Sequence, residues 1–370
     1  MSKSKPSIDK ILLGITIILV FVGLFIFMSA SFGILVRKGD TVVNLFFNKI
    51  IWGTFLGIIT MFIGMKIPLY LLRVYALPIF IGSILLTLLV FLPHIGFKYG
   101  GAHRWVSLGG MSFQPSEILK ISTIIYFSML IQSFKGRLET RRAIIIIGAS
   151  IIIPITILLF QPDTGTLMVL LVTIIAMLVS GGMRIRYFFL IIIFLVISIT
   201  ALAYARPYVK ERVLTFYDSS RDPMGAGYQI QKSLLTIGSG GITGRGFGQS
   251  IQKFGALPEP TGDSIFAVAG EEFGFIGGSS IITLFLLLGI RGINIARRAP
   301  MMSSGLLAIG IVILIVSQAF INIAAMLGLI PLTGVPLTFI SHGGTALIVA
   351  FFEIGILLNI SKLQRQNYKS

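Results

Sequence analysis

The residues of this chain best placed to do chemistry are ionisable side chains set inside or beside long apolar runs. A charge in hydrocarbon persists only where it is paired or faces a cavity. Glu117 and Lys120 stand near the start of one run, three apart on one helix face, so they can pair with each other or line a polar cavity. Glu271 and Glu272 are adjacent, about two turns into another run. Neighbours on a helix point about 100° apart, so at least one of these carboxylates should face a cavity or a cation. Glu353 stands alone in the last run, while Gln318 and Asn322, four apart, share a face suited to interhelical hydrogen bonds. Asp263 sits where the longest polar segment meets an apolar run, a place that suits a helix N-cap or a carboxylate at headgroup level. Pro331, Gly334 and Pro336 precede Ser341-His342-Gly343-Gly344-Thr345. A glycine pair at a helix start lets backbone N–H groups approach an anion such as pyrophosphate, or lets helices pack closely.

Other chemistries are excluded. There is no cysteine, hence no disulfide framework, thiolate metal site or cysteine nucleophile. His94, His103 and His342 are too scattered for metal-ligand spacing. Gly244-Arg245-Gly246-Phe247-Gly248 has the glycines of a nucleotide loop but follows no strand. The net charge of +17 suggests nucleic acid at first sight, yet the basic residues recur in short clusters between apolar runs, as in the loops of a membrane protein.

The elements that must position these residues are therefore membrane spans. Hydrophobic residues make up 55% of the 370 and charged residues 12%, against roughly 25% charged in soluble domains. Such a chain must turn its surplus apolar surface to lipid. Ten runs reach spanning length, at about 10–31, 46–66, 70–92, 113–133, 143–161, 165–182, 186–206, 264–290, 302–329 and 338–360. The first follows a short basic N-terminus and has no small-residue cleavage site after it, so it reads as a retained helix. An even number of spans puts both termini on one side. Lys3, Lys5, Lys10, Lys66, Arg73, Lys135, Arg137, Arg141, Arg142, Arg184, Arg186, Arg291, Arg297, Arg298, Lys362, Arg365 and Lys369 fall on that side, opposed there only by Asp9 and Glu139. That bias makes both termini cytoplasmic. Long loops on the opposite face run over about 93–112 and, longest, 207–263. Within the latter, 206–227 reads as polar and turn-rich, and 228–237 as an amphipathic helix on the membrane surface. No internal repeat is apparent. The expected architecture is an all-α membrane protein forming a single polytopic domain over 1–370, with ten transmembrane helices and one long extracytoplasmic loop between the seventh and eighth.

Several segments together resemble the FtsW/RodA family, also called SEDS proteins. They are Arg104-Trp105-Val106-Ser107-Leu108-Gly109 with Phe113-Gln114-Pro115-Ser116-Glu117 and Lys120, and Gln161-Pro162-Asp163-Thr164-Gly165-Thr166. Next comes Gly227-Tyr228-Gln229, followed by Ser239-Gly240-Gly241, the Gly244–Ser250 glycine loop, Lys253, Leu257-Pro258-Glu259 and Asp263 through Gly274. The last is Thr333-Gly334-Val335-Pro336-Leu337 with Ser341-His342-Gly343-Gly344-Thr345. The stretch from Gln249 to Glu259 looks more like FtsW than RodA, and a sporulation paralogue of FtsW would look similar. The chain departs from the family pattern at Thr261-Gly262-Asp263-Ser264, where members commonly have His-Thr-Asp-Phe. It departs again at His342, where Tyr is common, and at Thr345 and Ala346, where Ser is.

The resemblance implies a peptidoglycan glycosyltransferase that polymerises lipid II into β-1,4 glycan strands and releases undecaprenyl pyrophosphate, in division or septal wall synthesis. Asp263 would be the catalytic carboxylate. Arg104, Glu117, Lys120, Arg245, Lys253, Glu272, Ser341, Gly343 and Gly344 would bind substrate, with the cations steadying the pyrophosphate. No metal ligand is assigned; a divalent cation (Mg or Mn) is the one cofactor the resemblance leaves open. It also implies a class B penicillin-binding protein (a transpeptidase) and other divisome membrane proteins as partners, no nucleic acid, and an active site on the outer side of the bacterial cytoplasmic membrane. The rival readings are a lipid II flippase and a non-catalytic scaffold of the division complex, neither of which needs a base at Asp263.

Overall fold

The computed structural model describes residues 8–38, 52–93, 95–99, 102–108, 111–184, 186–187, 189, 207–341 and 343–367. The expected seventh span, 186–206, falls almost wholly outside them, as do the start of the second and His342. The described helices are α1 (Lys10–Lys38), α2 (Trp52–Lys66), α3 (Leu69–Val74), α4 (Ala76–Leu88), α5 (Pro115–Ser133), α6 (Arg141–Phe160), α7 (Thr164–Ser180), α8 (Pro207–Tyr217), α9 (Ala226–Ser239), α10 (Ile265–Arg297), α11 (Met302–Met326) and α12 (Gly344–Asn367). Five of them, α1, α6, α10, α11 and α12, are long and apolar enough to cross a membrane, and α2, α4 and α7 are shorter apolar helices. Large apolar side chains such as Phe21, Phe62, Ile145, Phe160 and Phe275 point outward. A water-facing surface would not carry so many. This is a multi-pass membrane protein.

α10 and α11 form the centre, with α1, α9 and α12 against α10, and α5 and α7 against α11. α2 lies along α12, where Gly64 and Gly355 replace side chains that would collide with the Phe352 and Met61 carbonyls. Small residues at a crossing let two membrane helices approach this closely. Thr60 Oγ1 donates to the Ile348 carbonyl at 2.9 Å and Asn359 Nδ2 to that of Ile67 at 2.6 Å.

Four expectations change. The third span is not one helix: Pro68 precedes α3, the chain turns at Tyr75, and α4 then runs on into a 3-10 turn at Leu89–Phe91. The 93–112 loop is a three-stranded antiparallel sheet, β1 (Gly96–Tyr99), β2 (Ala102–Leu108) and β3 (Met111–Phe113). Val106 on β2 is fully buried, which a flexible loop would not achieve. The segment 206–227 is not simply turns, because α8 occupies Pro207–Tyr217. Pro207 sits at the first position, where its missing N–H costs nothing, and no glycine follows until Gly225. The amphipathic helix forms as expected over Ala226–Ser239, but it lays Ile230, Ser233 and Thr236 inward and packs on α10.

α10 is broken inside the membrane. Gly274 has φ 65° and ψ −160°, a conformation open essentially to glycine alone. Backbone groups freed at this break must find partners, since lipid offers none. The glycine loop supplies them. The N–H groups of Arg245 and Gly246 donate to the carbonyls of Glu271 and Glu272 at 3.0 and 2.9 Å. Phe275 and Ile276 donate in turn to Gly241 and Ile242 at 2.9 and 3.2 Å. The glycines that suggested a nucleotide loop therefore serve a helix break.

Candidate functional site

Asp263 lies in the turn just before α10. Its backbone carbonyl accepts from Asn322 Nδ2 of α11 at 2.8 Å, and the same amide donates to the Val335 carbonyl at 2.8 Å. Ser341 Oγ donates to the Gly262 carbonyl at 2.6 Å and accepts from the Leu337 N–H at 2.8 Å. The Asp263 turn is thus fastened between α11 and the extended segment before α12. The N-cap of α10 is Ser264, and no side chain caps it. The Asp263 carboxylate is not used as a cap; it accepts from Gln229 Nε2 of α9 at 3.2 Å.

Two cations and a second acid surround that carboxylate. Arg104, on β2, donates to the Pro162 carbonyl and lies 3.7 Å from Asp163 Oδ1; its Nε is buried without a partner. A Cβ placed on Gly334 would be 3.8 Å from Arg104 Nη1 and 4.0 Å from Asp263 Oδ2, so the guanidinium and the carboxylate border one small space across this glycine. Arg212 of α8 lies within electrostatic reach as well, donating to Thr164 Oγ1 at 3.1 Å and the Leu332 carbonyl at 2.8 Å. Burial pushes the Asp263 carboxyl up to about 6, the Gln229 amide pulls back, Glu259 in the same turn adds to the rise, and Arg212 opposes it. A carboxylate so placed can hold or release a proton near neutral pH. An apolar groove lined by Gly23, Phe27, Phe339, Ser341, Gly344 and Leu347 opens between α1, α2 and α12, sharing Ser341 with the Asp263 turn.

Beneath this turn a polar chain runs into the bundle. Glu117 Oε2 and Lys120 Nζ pair at 2.9 Å, Lys120 donates to Gln318 Oε1 at 2.6 Å, and Gln318 Nε2 donates to the Pro336 carbonyl at 3.2 Å. Gln318 and Asn322 do share one face of α11, and together they grip residues 335–336.

The model of the cell cycle protein family FtsW/RodA/SpoVE matches residues 9–366. The chain belongs to this family. Stage V sporulation protein E of Bacillus subtilis (strain 168) is 36% identical over 368 residues, 99% of this chain and 100% of that protein. A probable peptidoglycan glycosyltransferase FtsW of Geobacter sp. (strain M18) is 35% identical over 362 residues, 96% of this chain and 97% of its own. Among solved structures, a chain of a peptidoglycan synthase complex that coordinates polymerization and crosslinking superposes with a TM-score of 0.80 at 26% identity, covering 98% and 99% of the two chains. The rod shape determining protein RodA of Thermus thermophilus superposes at 0.70 with 24% identity, over 98% of each.

Of the residues singled out in the sequence of this FtsW/RodA/SpoVE protein, Asp263, Arg104 and Ser341 come together, with Gly343 and Gly344 at the α12 start beside them. Lys120 and Glu117 lie one polar link away. Arg245, Lys253 and Glu272 form a different cluster, lower on α10. There Lys253 is wholly buried, with Nζ 2.7 Å from Glu272 Oε1 and 2.9 Å from both Ser29 Oγ and the Gly248 carbonyl. Arg245 Nε lies 3.5 Å from Glu271 Oε1, whose other oxygen accepts from Ser250 Oγ at 2.5 Å. All three protons of the Lys253 ammonium have acceptors. Among the described residues no group of three or more acidic or histidine side chains could hold a metal ion. Arg212 escaped sequence reasoning because nothing in its spacing ties it to Asp263. Gln229, Glu259 and Asp163 stood in the quoted motifs but had no role until the turn closed around Asp263.

Proposed function

We propose that this protein is a lipid-II-dependent peptidoglycan glycosyltransferase with Asp263 as its general base. The observation that carries the reading is one carboxylate, raised to about 6, bordering Arg104 across Gly334 and within electrostatic reach of Arg212. The 4-hydroxyl of an acceptor sugar attacks the anomeric carbon of the donor. Its proton passes to Asp263, the new glycosidic bond forms, and the bond from the anomeric carbon to phosphate breaks, its electron pair leaving with undecaprenyl pyrophosphate. Arg104 and Arg212 meet the charge that develops on the leaving group. The small groove between α1, α2 and α12 takes the first carbons of the polyprenyl tail, and the rest lies in lipid. Lys120 and Glu117 hold Pro336 through Gln318, and Arg245, Lys253 and Glu272 act by bracing the glycine loop against α10. Ser341 fixes the turn. Gly343 and Gly344 leave room for substrate at the α12 N-terminus.

A divalent cation, Mg or Mn, fits here only as a shared site. Asp263 and Glu259 supply two carboxylates in one turn, and magnesium commonly takes one or two carboxylates plus substrate phosphates and water. When bound, it would add positive charge at the pyrophosphate.

The wider reading has ten spans, both termini in the cytoplasm, one polytopic domain, and the Asp263 turn on the outer side of the bacterial cytoplasmic membrane. The role is in division or septal synthesis, with a class B penicillin-binding protein and other divisome proteins as partners; the FtsW-named and sporulation relatives and the synthase complex support it. The test is glycan synthesis from lipid II by the protein purified with a candidate partner. Asp263→Asn and Asp263→Ala should lose about 10²–10⁴-fold in rate while folding and binding the partner normally. Full polymer yield from the alanine variant overturns the assignment, and lipid translocation by an inactive variant would favour a flippase.

A further inference from the structure

At the end of the bundle away from Asp263, a small pocket is enclosed by α3, α5 and the first turn of α11. Leu69, Leu72, Ile125 and Leu307 form its apolar wall, and Arg73, Ser128, Ser303 and Ser304 its polar one. Its interior is about the size of one water molecule. Two donors there lack acceptors. Ser303 is 2% exposed and its Oγ has no partner; the Arg73 Nε is also buried without one. Buried donors left unpaired are rare and unfavourable. The α11 N-terminus carries no acidic residue in its first turn and no side-chain cap at Met301, although Gln132 Oε1 accepts from the Ser303 N–H at 2.7 Å. Arg73 Nη1 lies 2.9 Å from Met301 Sδ, a weak acceptor, which holds the guanidinium over that helix end. Among the described residues no carboxylate lines the pocket, and the exposed Arg297 and Arg298 end α10 just before it.

We infer that Arg73, Ser303 and the N-terminus of α11 form a binding site for a phosphate oxyanion, filled by the headgroup of a glycerophospholipid in the adjoining leaflet. A helix N-terminus, a guanidinium and a free hydroxyl are matched donors for phosphoryl oxygen. The interior admits one such oxygen, and the rest of the phosphate stays at the mouth beside Arg73. A lipid source fits the surroundings: Tyr70, Val74 and Tyr75, on either side of Arg73, are exposed on the surface that meets the bilayer. The site is independent of the glycosyltransferase reading, since it shares no residue with the Asp263 turn.

The experiment is native mass spectrometry of the full chain released from micelles, titrated with phosphatidylglycerol. Variants are Arg73→Gln, Ser303→Ala and, as an electrostatic control, the exposed Arg137→Gln. Melting in lipid-free detergent checks that each folds. Wild type and Arg137→Gln should retain one lipid with equal affinity, Arg73→Gln about tenfold more weakly and Ser303→Ala several-fold more weakly. Excess inorganic phosphate separates the sources. Displacement of the lipid shows that free phosphate uses the same donors, and no displacement shows that the site selects the lipid. Equal weakening in Arg73→Gln and Arg137→Gln, or none in either, overturns the proposal. If Arg73→Gln does not fold, unchanged lipid affinity in Ser303→Ala overturns it.

Discussion

In the proposed reaction Asp263 serves as the base because its surroundings hold it near neutrality without consuming it. A carboxylate that capped α10 or paired tightly with an arginine would sit well below its usual range and accept protons poorly. Here burial lifts it to about 6, and the Gln229 amide that bonds it pulls back only part of that rise. The rate of glycan synthesis should therefore fall below about pH 6, and Asp263→Asn should leave no such limb. Stability runs the other way. The folded pKa lies above the unfolded value of about 3.9. Between about pH 4 and 6 the native state thus keeps a proton that the unfolded chain has released, and this group contributes less stability as pH rises through that window. Asp263→Asn should melt no lower than wild type at pH 7, which separates lost chemistry from lost folding. Arg212 opposes the rise at Asp263. Arg212→Gln should slow synthesis by about a hundredfold and also move the acid limb to higher pH. A purely structural role for Arg212 would leave that limb in place, so the pH profile decides between them.

Among the elements, α10 does the most to place the site, and its key feature was hidden in the sequence. The apolar run from Ile265 reads as one span, and nothing in its hydropathy marks a break. Gly274 alone would be ordinary in a membrane helix; the break depends on a loop some thirty residues earlier that donates to Glu271 and Glu272. That is a tertiary exchange of backbone partners, which no local pattern encodes. The amphipathic α9 and the shared face of Gln318 and Asn322 were legible because each follows from helical spacing. The 93–112 sheet was not, since its short strands carry no clear alternation. Asp263, Arg104 and Ser341 could be named from motifs, but their convergence required the fold. Gly274→Ala should cost about 1–3 kcal/mol, with more from its collision with the Gly244 backbone, measured as a loss of melting temperature in detergent. The Lys253–Glu272 pair below the break gives a second check. Lys253→Met strands a carboxylate with no exposure and should cost about 3–5 kcal/mol, while adding Glu272→Gln should restore much of it. Failure of that second change to rescue would mean that Lys253 acts on something other than its partner.

For the whole molecule, the proposed orientation rests on where the basic residues fall along the sequence. Seventeen of the 30 basic residues lie on the side of the termini with only Asp9 and Glu139 against them, and the structure engages both of those acids. Arg291 Nη2 is 2.7 Å from Asp9, and Arg184 Nε is 3.0 Å from Glu139. Lys and Arg in short loops favour the cytoplasmic side, so the proposed topology leaves that end in the cytoplasm. The 207–263 segment is nearly sixty residues long, and loops of about that length begin to cross largely regardless of their charge. In the proposed topology the Asp263 turn and the basic end lie on opposite sides of the membrane. Since the chain has no cysteine, single substitutions report each side directly. Ser220→Cys, in an exposed turn after α8, should react with an impermeant maleimide on intact spheroplasts. Thr140→Cys, exposed before α6, should react only after permeabilisation. The reverse pattern would put Asp263 in the cytoplasm, away from any wall precursor that has already crossed, and would remove the basis for polymerisation at that residue.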